Sequence, residues 1–358
     1  MNALIFAAAL LLAPPALDPT TPTNPPNPPA PLRSRTFLLT CRAVVPSPPA
    51  GTRTLDVWLP LPHPDRNQDV TVLQTDCPGP YNVTTDTYGN QMLHLRRQVV
   101  QGQYVYQLES GSSRQVLRTI TAPVGPLTVT MQARITRREH RNLRASDDQA
   151  PAETEVSDPQ QARWLAPDRL VPLDARITAQ AQAVATAAHA TTPLAQARAI
   201  YEHVVGTMAY DKTGQGWGQG DIYYACDARR GNCTDFHAVV IGYCRALGIP
   251  ARFSIGLPLP AGRGQGEIKG YHCWAECFTA ATGWVPIDAS EAAKDPSRRA
   301  YFFGAHDENR VGFTRGRDLD LVPRQAGPPL NFFVYPYAEA DGKVLEGVER
   351  RYTFEDVP

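Results

Sequence analysis

The chain has no net charge, because 35 Lys and Arg offset 35 Asp and Glu over 358 residues. That balance leaves no global field to draw it to nucleic acid or an anionic membrane, and no nucleic-acid recognition motif appears. Lysine is scarce: Lys212, Lys269, Lys294 and Lys343 are the full set, so arginine carries most of the positive charge. Cysteine is sparse as well. Seven in a chain of this length exclude a small disulfide-stapled scaffold. Beyond the N-terminal stretch no apolar run reaches the roughly 18 residues of a membrane-spanning helix. What remains is 42% hydrophobic residues, enough at this length for two or three domains with cores of their own.

Residues 3–13 form an apolar run, ALIFAAALLLA. It is too short to span a bilayer and fits the core of a secretory signal over 1–16. No Lys or Arg precedes it, and Pro14 sits where a small residue is expected before cleavage after Ala16. Residues 14–32 then hold nine prolines in 19 positions. Proline fixes φ and lacks an N–H, so 17–32 reads as an extended tether. Together these point to a periplasmic or secreted protein; the alternative is a cytoplasmic one.

The first half reads as strands. Runs at 36–45, 54–61, 92–95, 104–108 and 127–135 alternate or are rich in β-formers, and turns separate them. Such spacing predicts a β-sandwich over 33–141. His63, His94 and His140 are isolated there and read as surface or turn residues. A polar stretch over 142–168 reads as a linker.

The second half turns helical. Residues 174–190 are alanine-rich, with Ile177, Ala181, Val184 and Ala188 on one face. Thr192 and Pro193 are the N-cap and first position of the next helix, whose stripe is Leu194, Ala197, Tyr201, Val204 and Met208. A glycine-rich loop, GQGWGQG at 214–220, lacks the Gly-Lys-Ser/Thr of a phosphate loop and reads as a mobile or closely packed loop beside the site. The segment Gly231-Asn232-Cys233-Thr234-Asp235-Phe236-His237 opens a third helix, which Gly248 and Pro250 end. Cys233 therefore sits in a first turn, where unpaired N–H groups favour a thiolate and can hold an oxyanion. A thiolate needs a base. His272 starts one strand and Asp288 closes another 16 residues on, so antiparallel pairing would set imidazole beside carboxylate. Cys233, His272 and Asp288 in that order make a triad of nucleophile, base and orienting acid.

Three segments carry a wider likeness: GNCTDFHAVVIGYCRALGIPARF at 231–253, YHCWAECF at 271–278 and GWVPIDASEA at 283–292. With them the chain resembles the transglutaminase-like superfamily, the papain-related group of cysteine acyl-transfer and peptidase domains, in its bacterial form. The resemblance implies an α+β fold, with the Cys helix packed on an antiparallel sheet over 169–296. It implies Cys233, His272 and Asp288 as catalytic, thiol-dependent acyl transfer or hydrolysis at peptide or amide carbonyls, and a protein or cell-wall peptide as substrate. No cofactor is expected, and no acidic run suggests the calcium sites of the animal crosslinking members. Trp217, Tyr224 and Asn232 are candidates for the oxyanion or cleft. His237, Trp274, Asn309 and Arg310 are candidates to stand behind the triad or line a substrate groove.

Three rivals use the same residues. Cys226, Cys233, His237, Cys244, Cys273 and Cys277 could donate to zinc, but their spacings are not those of a ribbon or finger, so no metal is expected. If exported, the six cysteines other than Cys233 could pair as disulfides. A non-catalytic member could bind peptide or cell-wall material in the same cleft. Finally, 297–358 reads as a β extension of the core: strands at 331–337 and 348–354 around an Asp341-Gly342 turn would extend or close the catalytic sheet, with Phe332, Val334 and Tyr335 inside.

Overall fold

The computed structural model describes residues 31–110, 115–142 and 158–357. The expected signal, most of the tether and the middle of the polar linker lie outside these described residues.

Two sheets form the N-terminal sandwich. One runs in the order Gln265–Ile268, Glu349–Asp356, Ser34–Val45, Leu127–Arg138, Gln68–Asp76. Its centre alternates cleanly: Phe37, Leu39, Cys41, Ala43 and Val45 are all buried. The other sheet is built on Thr54–Pro60 and Gln91–Val100, continued by Gln103–Ser110 and Gln115–Pro123. Leu55, Val57, Leu93 and Leu95 from this sheet share one core with Phe37 and Leu39.

The helical part is capped as its sequence suggests. Asp174 accepts from Ile177 N–H at the start of Ala175–Ala187, and Thr192 accepts from Ala195 N–H ahead of Pro193–Thr207. The first helix buries Ile177, Ala181 and Ala185, with Val184 half-buried against the core and Ala188 exposed. Both helices pack on Cys233–Ala246, in which every residue from Cys233 to Arg245 is buried. That helix lies on an antiparallel sheet ordered Gly283–Ile287, His272–Thr279, Ala251–Pro258, Arg310–Arg315. Gly256 permits the last pairing, since a Cβ there would lie 1.7 Å from the Val311 carbonyl oxygen. Among the described residues no helix is long and apolar enough to cross a membrane.

The structure departs from expectation in several places, among them the stretch read as a linker, where Asp158–Leu165 is an α-helix. Strands Gln68–Asp76, Asn82–Thr85 and Gln115–Pro123 escaped notice; the first carries Val72 and Leu73 on solvent-facing backbone, so burial imposes no alternation. Of the C-terminal residues, Arg310–Arg315 does extend the sheet under the Cys helix, but the strands expected at 331–337 and 348–354 do not join it. Tyr337–Ala340 pairs with Thr54–Pro60, and Glu349–Asp356 pairs with Ser34–Val45, completing both sandwich sheets. Residues 331–336 are irregular, although Asp341-Gly342 is a turn and Val334 is core. Lastly, His94 is buried on Asp56 at 2.8 Å, and His140 stacks edge-on to His306 at 6.0 Å, so neither is a plain surface residue.

Candidate active site

The helix start is built by two side chains. The Asn232 side-chain oxygen accepts from Thr234 N–H at 2.9 Å, and Asp235 accepts from Asn232 N–H at 2.9 Å, a reciprocal capping box. The same Asp235 carboxylate takes the N–H groups of Gly218 at 2.7 Å and Gly220 at 3.0 Å. One buried acid thus fixes the helix start and the glycine-rich loop together, and the loop is closely packed. Gly231 has φ +155°, and a Cβ there would come within 2.2 Å of the Asp235 carboxylate, so only glycine fits. Cys233 follows in the first turn, 2% exposed, at the positive end of the helix.

The strand pairing that sets Ala275 opposite Ile287 brings the next two groups together. His272 Nε2 lies 2.8 Å from Asp288 Oδ2. Asp288 caps the short helix Ala289–Lys294: its Oδ1 accepts from the Ser290 hydroxyl and Glu291 N–H, both at 3.1 Å. Arg310, itself buried, donates to Oδ2 at 3.1 Å. Asp288 is fully buried among donors.

The electrostatics follow from these contacts. Burial pushes the Cys233 thiol up, but hydrogen bonding with Cys273 and His272 and the charge of His272 outweigh it and hold the thiol well below its ordinary range. Burial pulls His272 down, yet the Asp288 charge and hydrogen bond and the contact with Cys233 raise it to about 10. Burial raises Asp288, and the charges of His272 and Arg310 reverse that, leaving it well below the usual carboxylate range. The arrangement favours a thiolate and an imidazolium side by side.

The other expected residues divide. His237 is fully buried; its Nε2 accepts from Ala289 N–H at 3.2 Å and its Nδ1 lies 3.6 Å from Cys273 Sγ, so it packs between the helix and Asp288. Trp274 stands 6.1 Å from His272, with the Arg310 guanidinium 5.0 Å over its ring. Asn232 Nδ2 donates to the Tyr271 hydroxyl at 2.9 Å. Trp217 is half-buried in the loop, and the buried Tyr224 hydroxyl has no partner among the described residues. Asn309 is turned away: its side-chain oxygen accepts from Arg35 of the sandwich at 2.8 Å. All seven cysteines are free thiols.

Two neighbours were missed in the sequence. Cys273, next to His272 on the same strand, also reaches Cys233. Glu291 Oε1 lies 3.9 Å from His272 Nε2 and pairs with Lys294 at 2.6 Å. The 3.6-residue period of a helix beginning at Asp288 would have found it.

Residues 180–289 match the family model of the Transglutaminase-like superfamily. An uncharacterized protein of Haemophilus influenzae is 34% identical over 191 residues, 44% of this chain and 52% of that protein, so the match spans about half the relative's length. Among solved structures, a Cytophaga hutchinsonii protein described as a candidate cysteine protease superposes with a TM-score of 0.53 at 13% identity, covering 91% of this chain and 98% of that one, which is a likeness of fold. The Cys helix on its antiparallel sheet, the match over 180–289 and this likeness of fold agree: the chain has a transglutaminase-like, papain-related fold, its core set behind a β-sandwich.

Proposed function

We propose that the protein is a thiol-dependent acyl-transfer enzyme acting on peptide or amide carbonyls, with Cys233 as nucleophile, His272 as acid and base, and Asp288 as the orienting acid. The observation that carries this reading is the 2.8 Å bond from His272 to Asp288 beside a thiol held low at a helix N-terminus. The Cys233 thiolate attacks the carbonyl carbon, and the π pair moves onto oxygen. First-turn N–H groups stabilise that oxyanion. The imidazolium of His272 gives its proton to the amide nitrogen, the C–N bond breaks, and the amine leaves a thioester on Cys233. His272 then takes a proton from water as it attacks, which releases the acid and restores thiolate and imidazolium. An amine in place of water gives a new amide by the same steps. Asp288, held anionic by Arg310 and its capping bonds, keeps the ring oriented throughout. The substrate class is a protein or cell-wall peptide, and the apolar run and proline-rich stretch support an exported location.

The test is a panel of peptide amides incubated with and without primary amines, with products identified by mass. Turnover by wild type and none by Cys233→Ala is expected, and the product mass separates hydrolysis from amine transfer. Peptide binding without turnover by wild type would sink the reading and favour a binding role for the cleft.

A further inference from the structure

The catalytic sheet has a second face, turned away from the Cys helix. Arg252, Ser254, Trp274 and Glu276 project from it. The loop at 63–67 and Arg137 of the sandwich cover them, enclosing a cavity of about 260 Å³. Trp274 separates this space from the candidate active site, with His306 5.9 Å from its ring on the cavity side.

The lining is short of acceptors. His306 is 0% exposed, and neither ring nitrogen has a hydrogen-bond partner among the described residues. Ser254 Oγ and Arg137 Nε, on residues 4% and 3% exposed, also lack one. A guanidinium N–H, a hydroxyl and one imidazole N–H are all able to donate. His63 Nδ1, also on the lining, is a further buried nitrogen without a partner among the described residues. Buried polar atoms are nearly always partnered, so these orphans around one cavity point to something that accepts from the donors among them.

The charges agree. Two carboxylates, Asp65 and Glu276, face three largely enclosed guanidiniums. Glu276 is committed to Arg252 at 2.7 Å and Asp65 to Arg315 at 2.9 Å. Arg137, the most buried of the three, meets Asp65 only at 3.7 Å. His140, beside Glu276 at 3.6 Å, adds no charge at neutral pH, because burial lowers it to about 4. One buried positive charge thus lacks a close counter-ion. Water could meet the donors but not that charge. The volume lies below the roughly 300–1,000 Å³ that holds a drug-sized ligand, which suits a small anion with bridging waters. Pro64 and Arg66 are exposed at the rim, so the loop at 63–67 is the way in.

We propose that this cavity is a binding site for a small oxyanion, a phosphate or carboxylate group held by Arg137, Ser254 and His306. The site is distinct from the thiol chemistry and does not depend on it.

The test uses the full chain in a zwitterionic buffer. Thermal midpoints and titration calorimetry are recorded with inorganic phosphate, sulfate and acetate, against chloride at equal ionic strength. Saturable binding, and a midpoint that climbs with the logarithm of oxyanion concentration but not with chloride, is expected. A response to phosphate and sulfate alone assigns a tetrahedral anion, and a response to acetate a carboxylate. Arg137→Gln should abolish binding, and Ser254→Ala should weaken it about three- to tenfold. Ser254→Ala removes one oxygen and decides the matter if Arg137→Gln does not fold. Equal shifts with all four anions, or oxyanion binding unchanged in Ser254→Ala and in folded Arg137→Gln, would overturn the proposal. Neither readout involves Cys233, so the outcome is independent of the proposed enzymatic function.

Discussion

Cys233, His272 and Asp288 depend on residues that touch no substrate in the proposed chemistry. Arg310 is the clearest: its guanidinium bonds Asp288 and lies over Trp274. A hydrogen bond between charged groups contributes about 1.5–3 kcal/mol. Arg310→Gln should therefore slow alkylation of Cys233 near pH 6 by about tenfold or more and move its pH midpoint upward, with the circular dichroism spectrum unchanged. The sign of the pH effect on stability follows from the same cluster. His272 is raised from 6.5 to about 10, so its contribution is full below 6.5 and lost as pH climbs through about 10. Asp288 is depressed from 3.8, so its contribution is present above 3.8 and lost as pH falls through its lowered value. The melting temperature should fall as pH approaches 10, and Asp288→Asn should flatten that alkaline fall. An unchanged alkaline slope in Asp288→Asn would contradict the coupling. The three proposed catalytic residues were legible because each sits in a recognisable segment. Arg310 was legible as a candidate but not as the partner of Asp288, since 22 residues separate them and their strands lie at opposite edges of the sheet.

At the scale of elements, Asp235 ties the Cys helix to the glycine-rich loop. Asn232→Ala removes a cap and should cost about 1 kcal/mol in urea unfolding. Asp235→Ala also frees Gly218 and Gly220, so its cost should be larger, about 2–3 kcal/mol, with faster proteolysis within 214–220. Equal costs for the two variants would mean that the loop contacts contribute nothing. Local capping chemistry made one helix start readable, at Thr192-Pro193; Asp174 and Asn232 cap the other two in the structure. Strands such as Gln68–Asp76 lack any comparable signal. Gln68 at its head is fully buried by both bonds to Gly312 of the catalytic sheet, a long-range contact that no local pattern encodes.

In the whole molecule, the chain's last strand closes its first sheet. Glu349–Asp356 inserts between Ser34–Val45 and Gln265–Ile268, with Tyr352 and Phe354 in the core. Phe354→Ala should destabilise by about 3–5 kcal/mol, read from urea unfolding, although it lies outside the catalytic sheet. The last strand was visible in the sequence at 348–354, but its partner was not. Pairing across some 300 residues is decided by which edge is open, as the Phe37 to Asp356 register shows.

The central claim is that Cys233 is an activated nucleophile. Stoichiometric iodoacetamide labelling from pH 5 to 9, read by peptide mass spectrometry for wild type and His272→Ala, tests it most directly. Cys233 should label ahead of the other six cysteines well below pH 8, and His272→Ala should erase that advantage. A Cys233 that labels no faster than the rest, or equally fast without His272, would contradict the account.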